Sequence, residues 1–222
     1  MQQSQPQKRH IRNLGRKTVW VAGLTGLALL SIAQPAAAHH LMDGKIPANW
    51  LEGFLSGLAH PVIGLDHLAF VISIGILSAG RRQGVLLPAF FLVAALGGTG
   101  LHLLQVDLPG TEVAIALSVI ALGLILSLRK QLNFKVLVGL AAIAGLFHGY
   151  AYGEAIVGAQ MSPLIAYLTG FTLSQYLIAM LTFWVASVRI QKTAEQTVRL
   201  RRYFGYAVCS IGVVFLSVAL SS

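Results

Sequence analysis

From Val85 to Gln105 the chain runs without a single Asp, Glu, Lys or Arg. Such a run leaves few choices. As a helix at 1.5 Å per residue it is about 30 Å long, which matches the hydrocarbon core of a bilayer. Inside that core every backbone polar group must bond within its own structure, and a helix does so locally. Apolar runs with few charges also occupy 50–79, 111–128, 134–157, 162–188 and 203–220. A membrane barrel would instead show short alternating segments. The pattern predicts an all-α, polytopic membrane helix bundle of about six transmembrane helices. Composition agrees: 56% of residues are hydrophobic and 10% charged, against about a quarter charged in soluble domains.

An N-terminal signal peptide is expected ahead of the bundle. Lys8, Arg9, Arg12, Arg16 and Lys17 form a basic region, Thr18 to Ala33 is apolar, and Ala36-Ala37-Ala38 offers an A-x-A cleavage site. Residues 1–38 would be removed after Ala38, leaving 39–222 as the transmembrane domain. An uncleaved anchor helix is the alternative. The mature chain would begin His39-His40-Leu41-Met42-Asp43. That terminus is either a weak metal-capture tip or a tail without a role.

The net charge of +9 invites a nucleic-acid reading, which its distribution excludes. Arg81, Arg82, Arg129, Lys130, Lys135, Arg189, Lys192, Arg199, Arg201 and Arg202 fall in alternate connections between apolar runs. The other connections hold Lys45 with Asp43, Glu52, Asp107, Glu112 and Glu154. The positive-inside rule then orients the chain in a bacterial inner membrane with its mature N-terminus outside. The acidic outer face would concentrate cations. Cys209 is the one cysteine, so no internal disulfide forms; it reads as a small core residue.

Local signals set the element ends. Asn49 and Glu52 resemble a capping box, which starts a helix near Trp50. His60-Pro61 should break that helix, because the residue before proline is pushed from the α region and proline suits a first helical position. A long helix is then expected from Pro61 to Ala79. Thr111 is expected to cap the third span, Asn133 to open the fourth, and Ser162-Pro163 the fifth. A basic loop is expected over 189–202.

Ionisable groups inside such spans are costly, and each is a functional hypothesis by default. His60, Asp66 and His67 sit together in the first span. His67 is expected about 9 Å below Pro61, His102 about 6 Å below the outer end of its span, and His148 about 13 Å below Val157, with Glu154 near the mouth. Imidazole nitrogen and carboxylate oxygen suit nickel, cobalt or zinc, and a broken helix adds backbone carbonyls. The candidate metal-binding residues are therefore His60, Asp66, His67, His148, His102 and Glu154. Free imidazole titrates near pH 6.5, so protons should compete with metal in acid. Blander readings stand beside this one. His102 can simply bond a neighbouring helix. Gly145, Gly149 and Gly153 form a small-residue ridge for close packing. Gln175 either lines the pathway or bridges helices, and Tyr150 and Tyr152 are packing aromatics or supports for a ligand.

His60-Pro61-x-x-Gly64-x-Asp66-His67 and Phe147-His148-Gly149-x-Ala151-x-Gly153 resemble the two motifs of the HupE/UreJ family of hydrogenase- and urease-accessory membrane proteins. The resemblance covers most of 39–222. It implies a small helical permease for Ni²⁺, or for Co²⁺, with His60, Asp66, His67 and His148 functional. It also implies a departure, since relatives often carry histidine where this chain has Tyr152, and sometimes at Tyr150. The expected activity is secondary transport, not enzymatic turnover, with no permanent cofactor. The metal ion is cargo, the bilayer and a homo-oligomer are the expected partners, and nucleic acid is not. No G-x-x-x-x-G-K-[ST] loop is present for ATP. The rival readings are an intramembrane metal-dependent hydrolase and a non-transporting assembly factor.

Overall fold

The computed structural model describes residues 46–128, 132–192 and 194–221. The signal region, the His39-His40 terminus, Lys45, Arg129 and Lys130 lie outside them. All regular structure among the described residues is helical. The helices are α1 (Trp50–Ile63), α2 (Leu65–Ser78), α3 (Leu86–Leu103), α4 (Thr111–Ser127), α5 (Phe134–Glu154), α6 (Met161–Lys192) and α7 (Ala194–Ala219). Four of them, α3, α5, α6 and α7, contain stretches long and apolar enough to cross a bilayer. The α1–α2 pair is one broken span bent by 80°, and α4 is a shorter apolar helix of 17 residues. By length and composition the described residues hold four candidate spans, or five with the bent pair taken as one, and α4 would be the sixth.

α1 begins where its cap predicts. Asn49 Oδ1 accepts from the Glu52 N–H at 3.0 Å, and Glu52 Oε2 reaches back to accept from the Ala48 N–H at 2.8 Å. The broken span lies near His60-Pro61, but the break itself falls at Gly64, and Pro61 is inside α1. Proline's fixed φ is already helical, so the helix continues past it to Ile63. Gly64 then turns extended, with φ −71° and ψ 105°. In place of a short helix from Trp50 and a long one from Pro61 to Ala79, the segment therefore forms two helices of 14 residues each. At about 21 Å, neither half crosses the hydrocarbon alone.

Other ends differ in instructive ways. Gly110 precedes α4 in the left-handed region at φ 72°, and Thr111, expected as the cap, donates its hydroxyl to the Leu108 carbonyl at 2.6 Å instead. Asn133 caps α5 as expected, accepting from the Lys135 N–H at 2.9 Å. The basic stretch 189–202 is helical on both sides of residue 193, not a loop. Charged residues end an apolar run without ending a helix, which can continue into water. Arg81 and Arg201 tie the basic end together. Arg81 Nη2 donates to the Leu132 carbonyl at 3.0 Å, and Arg201 Nη2 donates to the Leu128 carbonyl.

The helices pack in three close pairs: α1 with α6, α3 with α5, and α4 with α7. Small residues make the approach possible, as membrane bundles require in the absence of a hydrophobic drive between helices. A methyl on Gly149 of α5 would lie 1.8 Å from the Ala95 carbonyl oxygen of α3. A methyl on Gly57 of α1 would lie 2.1 Å from the Tyr167 carbonyl oxygen of α6. The small-residue ridge of α5 thus serves packing. Phe70, Val71, Ile74, Leu87, Phe91 and Leu126 form the main apolar core. A second cluster of Ala95, Tyr152, Ile156, Tyr167 and Phe171 lies beside the bend.

Candidate metal centre

The break at Gly64 brings the first motif to the bundle interior. His60 lies in the last turn of α1, and Asp66 and His67 open α2, all three buried. The missing side chain at Gly64 matters locally. A methyl there would sit 2.7 Å from His67 Cδ2 and 3.2 Å from Asp66 Oδ1. The bend therefore leaves room for both side chains against its backbone.

His148 comes from α5 and is fully buried. His67 Nδ1 lies 2.8 Å from His148 Nδ1, a contact between residues 81 apart in sequence. On its far side, His148 Nε2 is 3.0 Å from Ser118 Oγ of α4. Phe70 and Phe91 enclose the ring, with centroids 4.3 Å and 5.9 Å away. Tyr152 stands four residues, about one turn, beyond His148 on α5. Its ring lies 4.9 Å from His60 and 4.5 Å from His67. His60 and His67 are 6.3 Å apart, centroid to centroid.

Tyr167 and Gln175 of α6 close the cluster. The Tyr167 hydroxyl is 3.0 Å from His60 Nδ1 and donates to the Tyr152 carbonyl at 3.1 Å. The Tyr152 hydroxyl donates to Gln175 Oε1 at 3.5 Å, so Gln175 bridges α5 and α6. Buried polar groups of this kind carry a high cost unless bonded, and here the bonds run from helix to helix.

Of the six sequence-predicted residues, the fold gathers His60, Asp66, His67 and His148. His102 is half-buried and packs edge-on against Tyr150, with centroids 4.4 Å apart. Glu154 is exposed. Among the described residues, no three His, Cys, Asp or Glu side chains form a ready-made metal site. What the fold supplies is a histidine pair in contact, with a carboxylate beside His67 on α2 and a third imidazole across the bend on α1. Ser118 and Tyr167 are parts of this cluster that the sequence did not single out. A hydroxyl within an apolar span was the available signal, but serine in a helix commonly bonds its own preceding turn, and a tyrosine in a span also reads as a packing or interface aromatic.

A family model described as HupE / UreJ protein matches residues 27–215. Protein HupE of Rhizobium leguminosarum bv. viciae is 30% identical over 195 residues, covering 87% of this chain and 94% of that protein. No solved structure matches the chain.

Proposed function

The chain belongs to the HupE/UreJ family, and on that premise we propose that it is a secondary permease for a divalent transition-metal ion. Ni²⁺ is the first choice and Co²⁺ the second, and the cargo supplies metalloenzyme maturation of the hydrogenase or urease kind. The observation that carries this reading is the buried cluster at the bend. His67 and His148 touch at 2.8 Å, with His60 and Asp66 on the two sides of Gly64. Nitrogen and oxygen donors without clustered thiolates suit Ni²⁺, Co²⁺ or Zn²⁺.

In this reading the acidic face, with Glu154 and Asp107, gathers the ion from the periplasmic side of the inner membrane. His60, Asp66 and His67 replace its hydration shell, and His148 backs His67. His102 and Glu154 act at the entrance. A broken span suits passage, because a helix interrupted at membrane depth exposes carbonyls and can rearrange about its break. Residues 1–38 direct the chain to the membrane and are removed.

Uptake of Ni²⁺ into sealed proteoliposomes tests the reading. Saturable entry that disappears in Asp66→Asn is the expected result. Metal binding without entry would make the chain an assembly factor and end the permease reading.

A further inference from the structure

Ser118 on α4 and Tyr167 on α6 each stand between a histidine and a backbone carbonyl. Ser118 Oγ lies 2.7 Å from the Ile115 carbonyl oxygen and 3.0 Å from His148 Nε2. The Tyr167 hydroxyl lies 3.1 Å from the Tyr152 carbonyl oxygen and 3.0 Å from His60 Nδ1. A hydroxyl has one hydrogen to give, and a carbonyl can only accept. Each hydroxyl satisfies both neighbours only by donating to the carbonyl and accepting from the ring. For Tyr152 the need is clear. Helix α5 ends at Glu154, so the Tyr152 carbonyl is among the last four, which lack intrahelical partners. Reversing Ser118 toward His148 would forfeit its bond to Ile115.

The protons on the rings follow in order. His60 gives its hydrogen from Nδ1 to Tyr167, which leaves the lone pair on Nε2. His148 gives its hydrogen from Nε2 to Ser118, so its Nδ1 is an acceptor. Among the described residues the ring nitrogen against that acceptor is His67 Nδ1 at 2.8 Å, which must therefore donate. The lone pair of His67 then also sits on Nε2. No proton is gained or lost; only its place on each neutral ring is set.

We propose that Ser118 and Tyr167 are positioning residues that fix the tautomers of His67, through His148, and of His60. Both imidazoles then carry their lone pair on Nε2, the form in which that nitrogen ligates a metal. The proposal rests on the reading of His60 and His67 as donors to the ion. Its physical basis is that a metal-ligating imidazole is held in the correct tautomer by the partner of its other nitrogen. It also gives α4 a part in the site, although α4 contributes no donor of its own. While the relay holds, both nitrogens of His148 are engaged, which makes His148 a support for His67.

The test uses the full chain, purified in detergent, labelled with ¹⁵N-histidine and free of metal. Ring nitrogen shifts separate a protonated nitrogen from a bare one, and single His→Gln variants assign them. The expected wild-type spectrum has hydrogen on Nδ1 of His60 and His67 and on Nε2 of His148. Ser118→Ala should turn His67 and His148 into tautomer mixtures and leave His60 unchanged, while Tyr167→Phe should do the reverse. Ni²⁺ binding should weaken about tenfold in Ser118→Ala and return to within about twofold of wild type in Ser118→Thr. Hydrogen on Nε2 of His67 in the wild type would overturn the proposal. So would unchanged nitrogen signals in Ser118→Ala. If Ser118→Ala does not fold, the wild-type spectrum decides alone. The spectra need no cargo, so correct tautomers in a protein that moves no Ni²⁺ would sink the permease and leave the relay standing.

Discussion

The buried cluster and the rim of the bundle contain the same kinds of side chain and have different surroundings. In the cluster, His67 and His148 are within 2.8 Å of each other and nearly inaccessible. At the rim, His102 leans on Tyr150 and Glu154 faces outward. His102 Nδ1 is buried with no hydrogen-bond partner, which costs about 1–3 kcal/mol. Helix phase explains the division better than depth does. Two residues along a helix turn the side chain by about 200°, so Tyr150, and His102 with it, lies on the face of α5 opposite His148. Four residues return it to within about 40°, which places Tyr152 in the cluster. Height in the membrane selects candidates, and phase decides which of them meet.

The largest expected effect separates the two regions directly. His67→Ala should reduce saturable Ni²⁺ uptake in proteoliposomes to background, whereas His102→Phe should keep it within about twofold. Phenylalanine preserves the packing on Tyr150 and removes the unbonded nitrogen, so the variant should also gain about 1 kcal/mol of stability in a denaturant series. Equal losses of uptake in both variants would break the division. A second pair of substitutions probes the backbone of each region. Gly64→Ala puts a methyl 2.7 Å from His67 Cδ2, while Gly100, near His102, has open space around it. Uptake should fall about tenfold in Gly64→Ala, since displaced ligand support costs roughly 10–100-fold. Gly100→Ala should leave uptake alone and gain up to about 1 kcal/mol from helix propensity.

Much of this was legible in the sequence, and the limits have physical causes. The spans follow from uncharged length, and the start of α1 from Asn49 and Glu52. The first motif showed that a helix must break near His60-Pro61. It did not show that proline's helical φ would carry α1 on to Gly64. Nor did hydropathy reveal that α6 and α7 continue through the basic stretch, because solvated arginines are compatible with helix. The buried quartet was recoverable from the motifs, since each pairs histidine with small residues that admit a neighbouring backbone. Placing His102 and Glu154 with it relied on depth and ignored phase. Ser118 and Tyr167 remained hidden because their roles depend on which helices become neighbours, and the α4–α5 and α1–α6 contacts are not encoded in any local stretch.

Tyr152 sharpens the comparison from inside the cluster. Its ring stands between His60 and His67, at 4.9 Å and 4.5 Å. Tyr152→His would add an imidazole at a position where the family resemblance implies one in many relatives. Ni²⁺ binding should tighten by about three- to fivefold, because an added neutral nitrogen donor raises affinity for Ni²⁺ over Mg²⁺-like ions. Tyr150→His, on the opposite face, should not tighten it. Isothermal titration on both variants checks this, and an equal gain at Tyr150 would show that the rim takes part in binding.

The smallest expected effect lies at the mouth. Glu154 is exposed, so its charge is screened within about 8 Å at physiological ionic strength. It can raise the local concentration of a dication without binding it in a fixed geometry. Glu154→Gln should therefore leave the maximal uptake rate unchanged. The half-saturating Ni²⁺ concentration should rise by less than about twofold at 0.15 M salt and by more at 0.01 M, where the screening length reaches about 30 Å. A fall in the maximal rate that salt does not alter would mean that the carboxylate contacts the ion. Glu154 would then belong with His67 despite its exposure, and the boundary between cluster and rim would have to move outward to include it.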